Sequence, residues 1–383
     1  MEEFKMVKFN DENIHFDIVG SFLRPEALKE AREQFENGRL DAKSLERIED
    51  QEITKLVAQQ KAAGLKFVSD GEFRRAYWHL DTFWGFDGID HVQADNGYFF
   101  HGEETKADAA ALNGKISFSG NHPDVAAFKF LYQLTKDDPT ILARQSIPAP
   151  AQLYLELFRD EKYTENTRKY YPNNQELIYD IVSAYRGLIE ALYQAGCRDL
   201  KLDDCTWGVI VDDDAWQVVA KEGNLSRQEV QELYLELNNR VLADWPADLR
   251  LSTHICRGNY HSTWAAKGGY GVVADAVFLK ENVDAFYLEF DDERSGGFEP
   301  LAKVPTTKEV VLGIVTSKNP KLETKAELKA RLKEASRYVP KENLVLSTQC
   351  GFASTEEGNK LTFEQQWDKI KLVIQTAKEF WQE

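Results

Sequence analysis

His254 and Cys256 stand two residues apart in the run Leu251-Ser252-Thr253-His254-Ile255-Cys256. On an extended strand that spacing turns both side chains to one face. Imidazole nitrogen and thiolate sulfur are zinc ligands, and paired thiolates disfavour magnesium and calcium. Two later strand-like runs end in groups of matching chemistry, Glu289 and Cys350. If those ends converge, His254, Cys256, Glu289 and Cys350 form one zinc site. Long spacing and the absence of a Cys-x-x-Cys pair leave a second reading open, in which both cysteines are small buried residues and Glu289 is a paired carboxylate. Two more carboxylates, Glu72 and Asp203, end other runs. Such a pair works as acid and base, holds an ammonium group, or simply lies solvated on a rim. Arg24, Arg74, Arg257 and Lys318 fall near the same ends and are candidates for an anion, though a solvated face suits each one singly. Cys197 reads as core. Cys205, after two acids, reads as a pocket wall and is not assigned as a ligand.

Convergence requires a fold that gathers distant strand ends. Eight strand-like runs occur, at residues 14–22, 67–72, 141–147, 199–204, 251–256, 285–289, 310–315 and 343–350. Helical patterns follow most of them: 25–36, 42–63 stopped by Gly64, 177–195 closed by Gly196, 226–243 capped by Ser226, 261–281 broken by Gly268-Gly269, 325–338 and 362–381. This alternation predicts an α/β fold, a (β/α)8 TIM barrel, as a single catalytic domain over 1–383. In such barrels chemistry sits at the carboxyl ends of the strands. Ser21, Glu72, Asp203, His254, Cys256, Glu289 and Cys350 all fall there.

Residues 77–138 break the rhythm and read as an insertion after the second strand, a candidate lid. A hairpin from 97–101 and 115–120 and a helix over 123–134 are expected within it. Trp78, Phe83, Trp84 and Phe86 read as insertion core in preference to pocket walls.

The composition, 43% hydrophobic and 29% charged, suits a globular protein with a large core. With 64 acids against 47 bases and a net charge of -17, no nucleic-acid partner is expected. The start, Met1-Glu2-Glu3-Phe4-Lys5, lacks a signal-peptide pattern, and no apolar run suggests a membrane span. Four cysteines point to reduced thiols in the cytoplasm. Oligomeric state is not readable at this level.

Six segments in order, Val19-Gly20-Ser21-Phe22, Asp70-Gly71-Glu72-Phe73-Arg74-Arg75, Leu202-Asp203-Asp204, Thr253-His254-Ile255-Cys256, Leu288-Glu289 and Gln349-Cys350-Gly351, resemble the carboxyl-terminal catalytic barrel of the cobalamin-independent methionine synthase superfamily. The likeness is to its short, single-barrel bacterial members. It implies a methyltransferase that makes methionine, with Zn2+ on His254, Cys256, Glu289 and Cys350 holding homocysteine as a thiolate. It also implies that Glu72 and Asp203 bind the amino group, and that Val19, Gly20 and Ser21 lie by the carboxylate. The partners implied are a homocysteine-like thiol and a methyl donor: methyltetrahydrofolate, a methylcorrinoid or a small methylated sulfur compound.

Three departures separate the chain from the full-length synthase. The amino-terminal barrel is missing. Val315 stands where the family has the His of an Asp-Ile-His-Ser run, thought to protonate the folate leaving group. Asp203-Asp204-Cys205-Thr206 replaces an acidic-Glu-Pro-Ala run. Alternatives are alkylation of another small thiol, as by an epoxide:thiol transferase, a non-catalytic thiol-binding zinc barrel, and a metal-free lyase.

Overall fold

The computed structural model describes residues 8–9, 12–222 and 225–382; the Met1–Lys5 stretch lies outside them. Seven parallel strands form one curled sheet in chain order: Phe67–Val68, Leu142–Pro148, Asp199–Asp203, Arg250–Ile255, Ala285–Glu289, Glu309–Val315 and Leu344–Thr348. Each pairs with its sequence neighbour, the pattern of strands joined by right-handed crossovers. These strands are buried along almost their whole length and read Val-, Ile- and Leu-rich, as strands covered on both faces do.

The place of the eighth strand is taken by the extended segment 14–22. It bridges Leu346 through Phe16 on one side, and on the other Phe22 N–H donates to Gly71 O over 3.1 Å. The sequence predicts a regular strand here; backbone bonds to Leu346 hold its start (Leu346 N–H to His15 O and Asp17 N–H to Leu346 O, both 2.9 Å), and side chains take over part of the ladder further along. Ser69 Oγ donates to Gly20 O, Lys201 Nζ to Val19 O, and Asp17 accepts from Ile18 N–H. Gly20 at φ 124 turns the segment away from regular pairing.

Helix expectations hold closely. Ala42–Ala63 ends at Gly64 in the left-handed region (φ 89), and Ser226 forms a capping box with Glu229 ahead of Arg227–Leu242. The helix expected over 261–281 shrinks to a 3-10 turn, Tyr270–Val272, and Ala274–Lys280, because Gly268 and Gly269 interrupt it. Among the described residues no helix is long and apolar enough to cross a membrane.

In the stretch 77–138 the expected hairpin is not formed. Phe99–Phe100 pairs instead with Glu103–Glu104, and a long antiparallel pair joins Asp87–Gln93 to Asp108–Ser117. Ala109 and Ala110 are buried there, so a segment of weak strand propensity is held in the pair by packing. The helix Pro123–Thr135 is as expected.

The amino-terminal end of the barrel is filled by ions. Arg144 bonds Asp17 (2.8 Å) and Asp199 (2.7 Å), and Arg250 bonds Asp199 (3.0 Å) and Glu309 (2.6 Å), all buried. Removing Arg144 leaves the buried Asp17 without a cation and Asp199 with Arg250 alone. Arg144→Met is expected to lower the unfolding free energy by about 3–5 kcal/mol, read by urea denaturation.

Candidate active site

The opposite, carboxyl-terminal end of the barrel opens into a cavity of about 550 Å³. The strand Arg250–Ile255 delivers His254 and, just past its end, Cys256. Cys350 follows the strand Leu344–Thr348. One ligand atom from each of His254, Cys256 and Cys350 lies within 4.8 Å of the others, and all three side chains are buried. The three thus meet as the sequence anticipates.

Glu289 sits beside this trio but outside it. Its carboxylate accepts from Arg257 N–H (3.1 Å), contacts Arg294 Nη1 (3.1 Å) and lies 4.0 Å from Lys318 Nζ. Burial alone would raise its pKa, but Lys318, Arg257 and Arg294 outweigh burial and hold it below the ordinary value.

Whether these residues suit a metal is decided by His254. It is 3% exposed, and neither ring nitrogen has a hydrogen-bond partner among the described residues. A buried imidazole left wholly unpaired is costly, and a cation removes that cost. Contact with Cys205 and burial push the Cys256 thiol up, and contact with Cys256 and burial push Cys350 up. A soft cation reverses that sign by binding the thiolates. The donor set of one nitrogen and two sulfurs fits such an ion.

Glu72 and Asp203 face the same cavity. Glu72 has φ 61, following Gly71 at φ 73. A glutamate held there costs on the order of 1–3 kcal/mol, a strain that clusters at functional sites. The left-handed φ of Gly71 favours glycine, and a Cβ there would lie 2.3 Å from Leu56 Cδ2, which would have to move aside. Glu72 Oε2 and Asp203 Oδ1 have no hydrogen-bond partners, although Lys201 Nζ lies 3.5 Å from Asp203. Burial lifts the Glu72 carboxyl to about 7, Arg75 opposing and Asp203 adding to the rise.

Val19 and Ser21 line the cavity beside them. Gly351 packs so closely on Ser21 that a Cβ would fall 1.8 Å from Ser21 Oγ. Gly351→Ala is expected to displace Ser21 from the cavity wall and to weaken several-fold the binding of a ligand that the cavity takes, read as a rise in its KM.

The rim cations are not free. Arg24 donates to Phe22 O and Ala353 O, Arg257 to Gly268 O, and Arg74 pairs with Glu49 and Asp50. Val315 is fully buried and does not line the cavity. Cys197 is core, as expected. The aromatic cluster divides: Phe83 and Phe86 are core, Trp84 packs on it, and Trp78 walls the cavity.

Sequence reasoning missed the far wall. His79 and Gln152 both reach it, with His79 Nδ1 and Gln152 Oε1 unpartnered. Burial holds His79 neutral, with a pKa of about 3. Tyr98 donates to Glu156 there (2.8 Å). His79 stands next to Trp78 in the chain, which was the one available signal.

A parallel α/β barrel sheet with a polar centre at the carboxyl ends of its strands defines the TIM-barrel class, in which loops after the strands carry chemistry. Within that class the chain belongs to the family of cobalamin-independent synthase catalytic domains, whose model matches residues 16–83 and 167–378. It is 42% identical over 369 residues to the uncharacterized protein YxjG of Bacillus subtilis, covering 95% of this chain and 94% of that protein. A methionine synthase of Saccharolobus solfataricus is 22% identical, covering 87% and 86%. A crystal structure of a putative vitamin-B12 independent methionine synthase from Listeria monocytogenes superposes with a TM-score of 0.74 at 34% identity, covering 97% of this chain and 98% of that one. A B12-independent methionine synthase from Shewanella sp. W3-18-1, solved with selenomethionine, shares the fold at TM-score 0.71 and 19% identity, covering 96% and 98%.

Proposed function

We propose that this protein is a zinc-dependent methyltransferase that methylates homocysteine to methionine. The observation that carries the reading is His254: a buried imidazole with no hydrogen-bond partner on either nitrogen, beside two thiols and lining one cavity with Glu72 and Asp203, each of which keeps one carboxylate oxygen without a hydrogen bond. Family membership supports the reaction class.

His254, Cys256 and Cys350 would hold the zinc, with Glu289 adjacent. When bound there, zinc supplies the positive charge that favours a deprotonated substrate thiol at neutral pH. Glu72 and Asp203 receive the substrate ammonium by charge-assisted hydrogen bonds. The turn through Val19 and Ser21 receives its carboxylate. The thiol end then points at the trio.

The methyl donor takes the far wall. Trp78 and Tyr98 give it apolar faces, and His79 and Gln152 offer it unpaired polar atoms. The stretch 77–138, which contributes several of these groups, acts as an insertion that covers the site within a single-domain barrel. Val315 is buried core, so a proton for the leaving group does not come from that position. The enzyme is read as cytoplasmic.

Zinc analysis of the purified protein, with methyl transfer to homocysteine assayed from methyltetrahydrofolate, a methylcorrinoid and a small methylated sulfur compound, tests the proposal. Zinc at one per chain and turnover with one of the three is expected. Zinc-free protein, or turnover only with a thiol lacking the amino group, overturns it.

A further inference from the structure

Cys205 is the one cavity-facing thiol that the proposed reaction leaves unused. The parallel register between Asp199–Asp203 and Arg250–Ile255 sets His254 opposite Asp203, and Asp204 N–H donates to His254 O over 2.8 Å. Carrying that register two residues further places Cys205 beside Cys256. Their sulfurs are 3.2 Å apart, and both are free thiols. A disulfide holds its sulfurs about 2.05 Å apart, so closure needs them to approach by only roughly 1 Å.

The two thiols differ in access. Both line the cavity, but Cys205 is partly exposed whereas Cys256 is only 4% exposed. A small oxidant in the cavity therefore meets Cys205 first.

The geometry points to Cys205 and Cys256 as a redox-active dithiol that closes to a disulfide under a peroxide and thereby withdraws Cys256 from the His254–Cys256–Cys350 trio. The withdrawal of a metal ligand rests on the reading given under Proposed function; the dithiol itself does not. The Cys205 sulfur attacks one peroxide oxygen, the O–O bond breaks, and the departing hydroxide takes up the thiol proton to leave as water, with Cys205 now a sulfenic acid. The Cys256 sulfur then attacks the Cys205 sulfur, the S–O bond breaks, and the second water leaves with the Cys256 proton. Two thiols and one hydrogen peroxide give one disulfide and two waters. A dithiol reductant reverses the change. Oxidation leaves only His254 and Cys350 of the trio, so the site loses its metal while the fold remains.

Cys350 is the built-in competitor, because it also lies in the trio with Cys256. The experiment treats full-length protein, both zinc-loaded and zinc-free, with stoichiometric hydrogen peroxide. Disulfides are mapped by mass spectrometry of unreduced peptides, and zinc release is followed with a coloured chelator. A Cys205–Cys256 peptide is expected in both preparations. Zinc release should run in step with it in the loaded one, and dithiothreitol should restore thiols and zinc binding. Cys205→Ser should abolish that peptide and slow peroxide-driven zinc release at least tenfold.

A disulfide joining Cys256 to Cys350, oxidation of Cys205 that stops without a cross-link, or equally fast zinc release from Cys205→Ser overturns the inference. A chain that binds no zinc yet forms the Cys205–Cys256 peptide retains the dithiol and instead overturns the function proposed above.

Discussion

Cys350→Ser is expected to lose zinc and, with it, methyl transfer. Replacing a partner that only orients a ligand already costs about 10–100-fold in metal affinity or activity. Losing a thiolate of the trio is expected to cost more than about 100-fold in affinity, read by chelator competition. Methyl transfer to homocysteine should fall in the same proportion at limiting zinc. The effect is large because the remaining groups cannot compensate. Glu289, the nearest carboxylate, is held by Arg257 N–H and Arg294 and already spends its charge on them and Lys318. His254 returns to a buried imidazole with no partner. The fold should survive, since Cys350 follows a strand whose pairing, Leu344–Thr348 against Glu309–Val315, does not involve its side chain. Unchanged unfolding with lost zinc separates a ligand from a packing residue. Unchanged zinc affinity in Cys350→Ser would remove the metal assignment.

Glu72→Gln carries the second large effect, on substrate recognition. A charge-assisted hydrogen bond contributes about 1.5–3 kcal/mol, so the KM for homocysteine should rise about 10–150-fold. Zinc content should not change. The wild-type protein should also show a pH signature. Burial, with Asp203 adding, lifts the Glu72 carboxyl to about 7, so it is half protonated near neutrality before substrate arrives. An ammonium ion selects the ionised form. Above pH 7 that form is already present and affinity is flat. Below pH 7 the carboxyl must first release its proton, so apparent affinity falls, by at most about tenfold per pH unit. Glu72→Gln has no proton to release and should lose this slope. A pH-independent KM in the wild type would remove Glu72 from ammonium binding.

The strand–helix alternation was readable because buried parallel strands and amphipathic helices leave local periodicities. Ala42–Ala63 with Gly64, and Ser226 with its capping box, show how completely a helix can be marked in sequence. Within 77–138 the expected hairpin is misplaced because the strands there carry no such mark, whereas the helix Pro123–Thr135 is where its pattern puts it. Asp87–Gln93 and Asp108–Ser117 alternate weakly, and their pairing is fixed by what they pack on. The first barrel segment looked like a strand because it is apolar, but side chains from Ser69 and Lys201 replace part of its ladder.

The site divides along the same line. Sequence alone determined which chemistry is present: a His and a Cys at strand spacing, and a second Cys and acids at other strand ends. Residue types and the barrel rhythm suffice for that, because strand ends of such a barrel converge whatever fills the loops. Only the tertiary structure decided how those groups divide. It drew His254, Cys256 and Cys350 together, turned Glu289 toward Arg294, and left one oxygen of each of Glu72 and Asp203 without a hydrogen bond. It also set Cys205 against Cys256, and brought His79 and Gln152 to the far wall. The physical reason is that each of these outcomes is a competition among partners distant in sequence, settled by strand register and by which buried charges lie within reach.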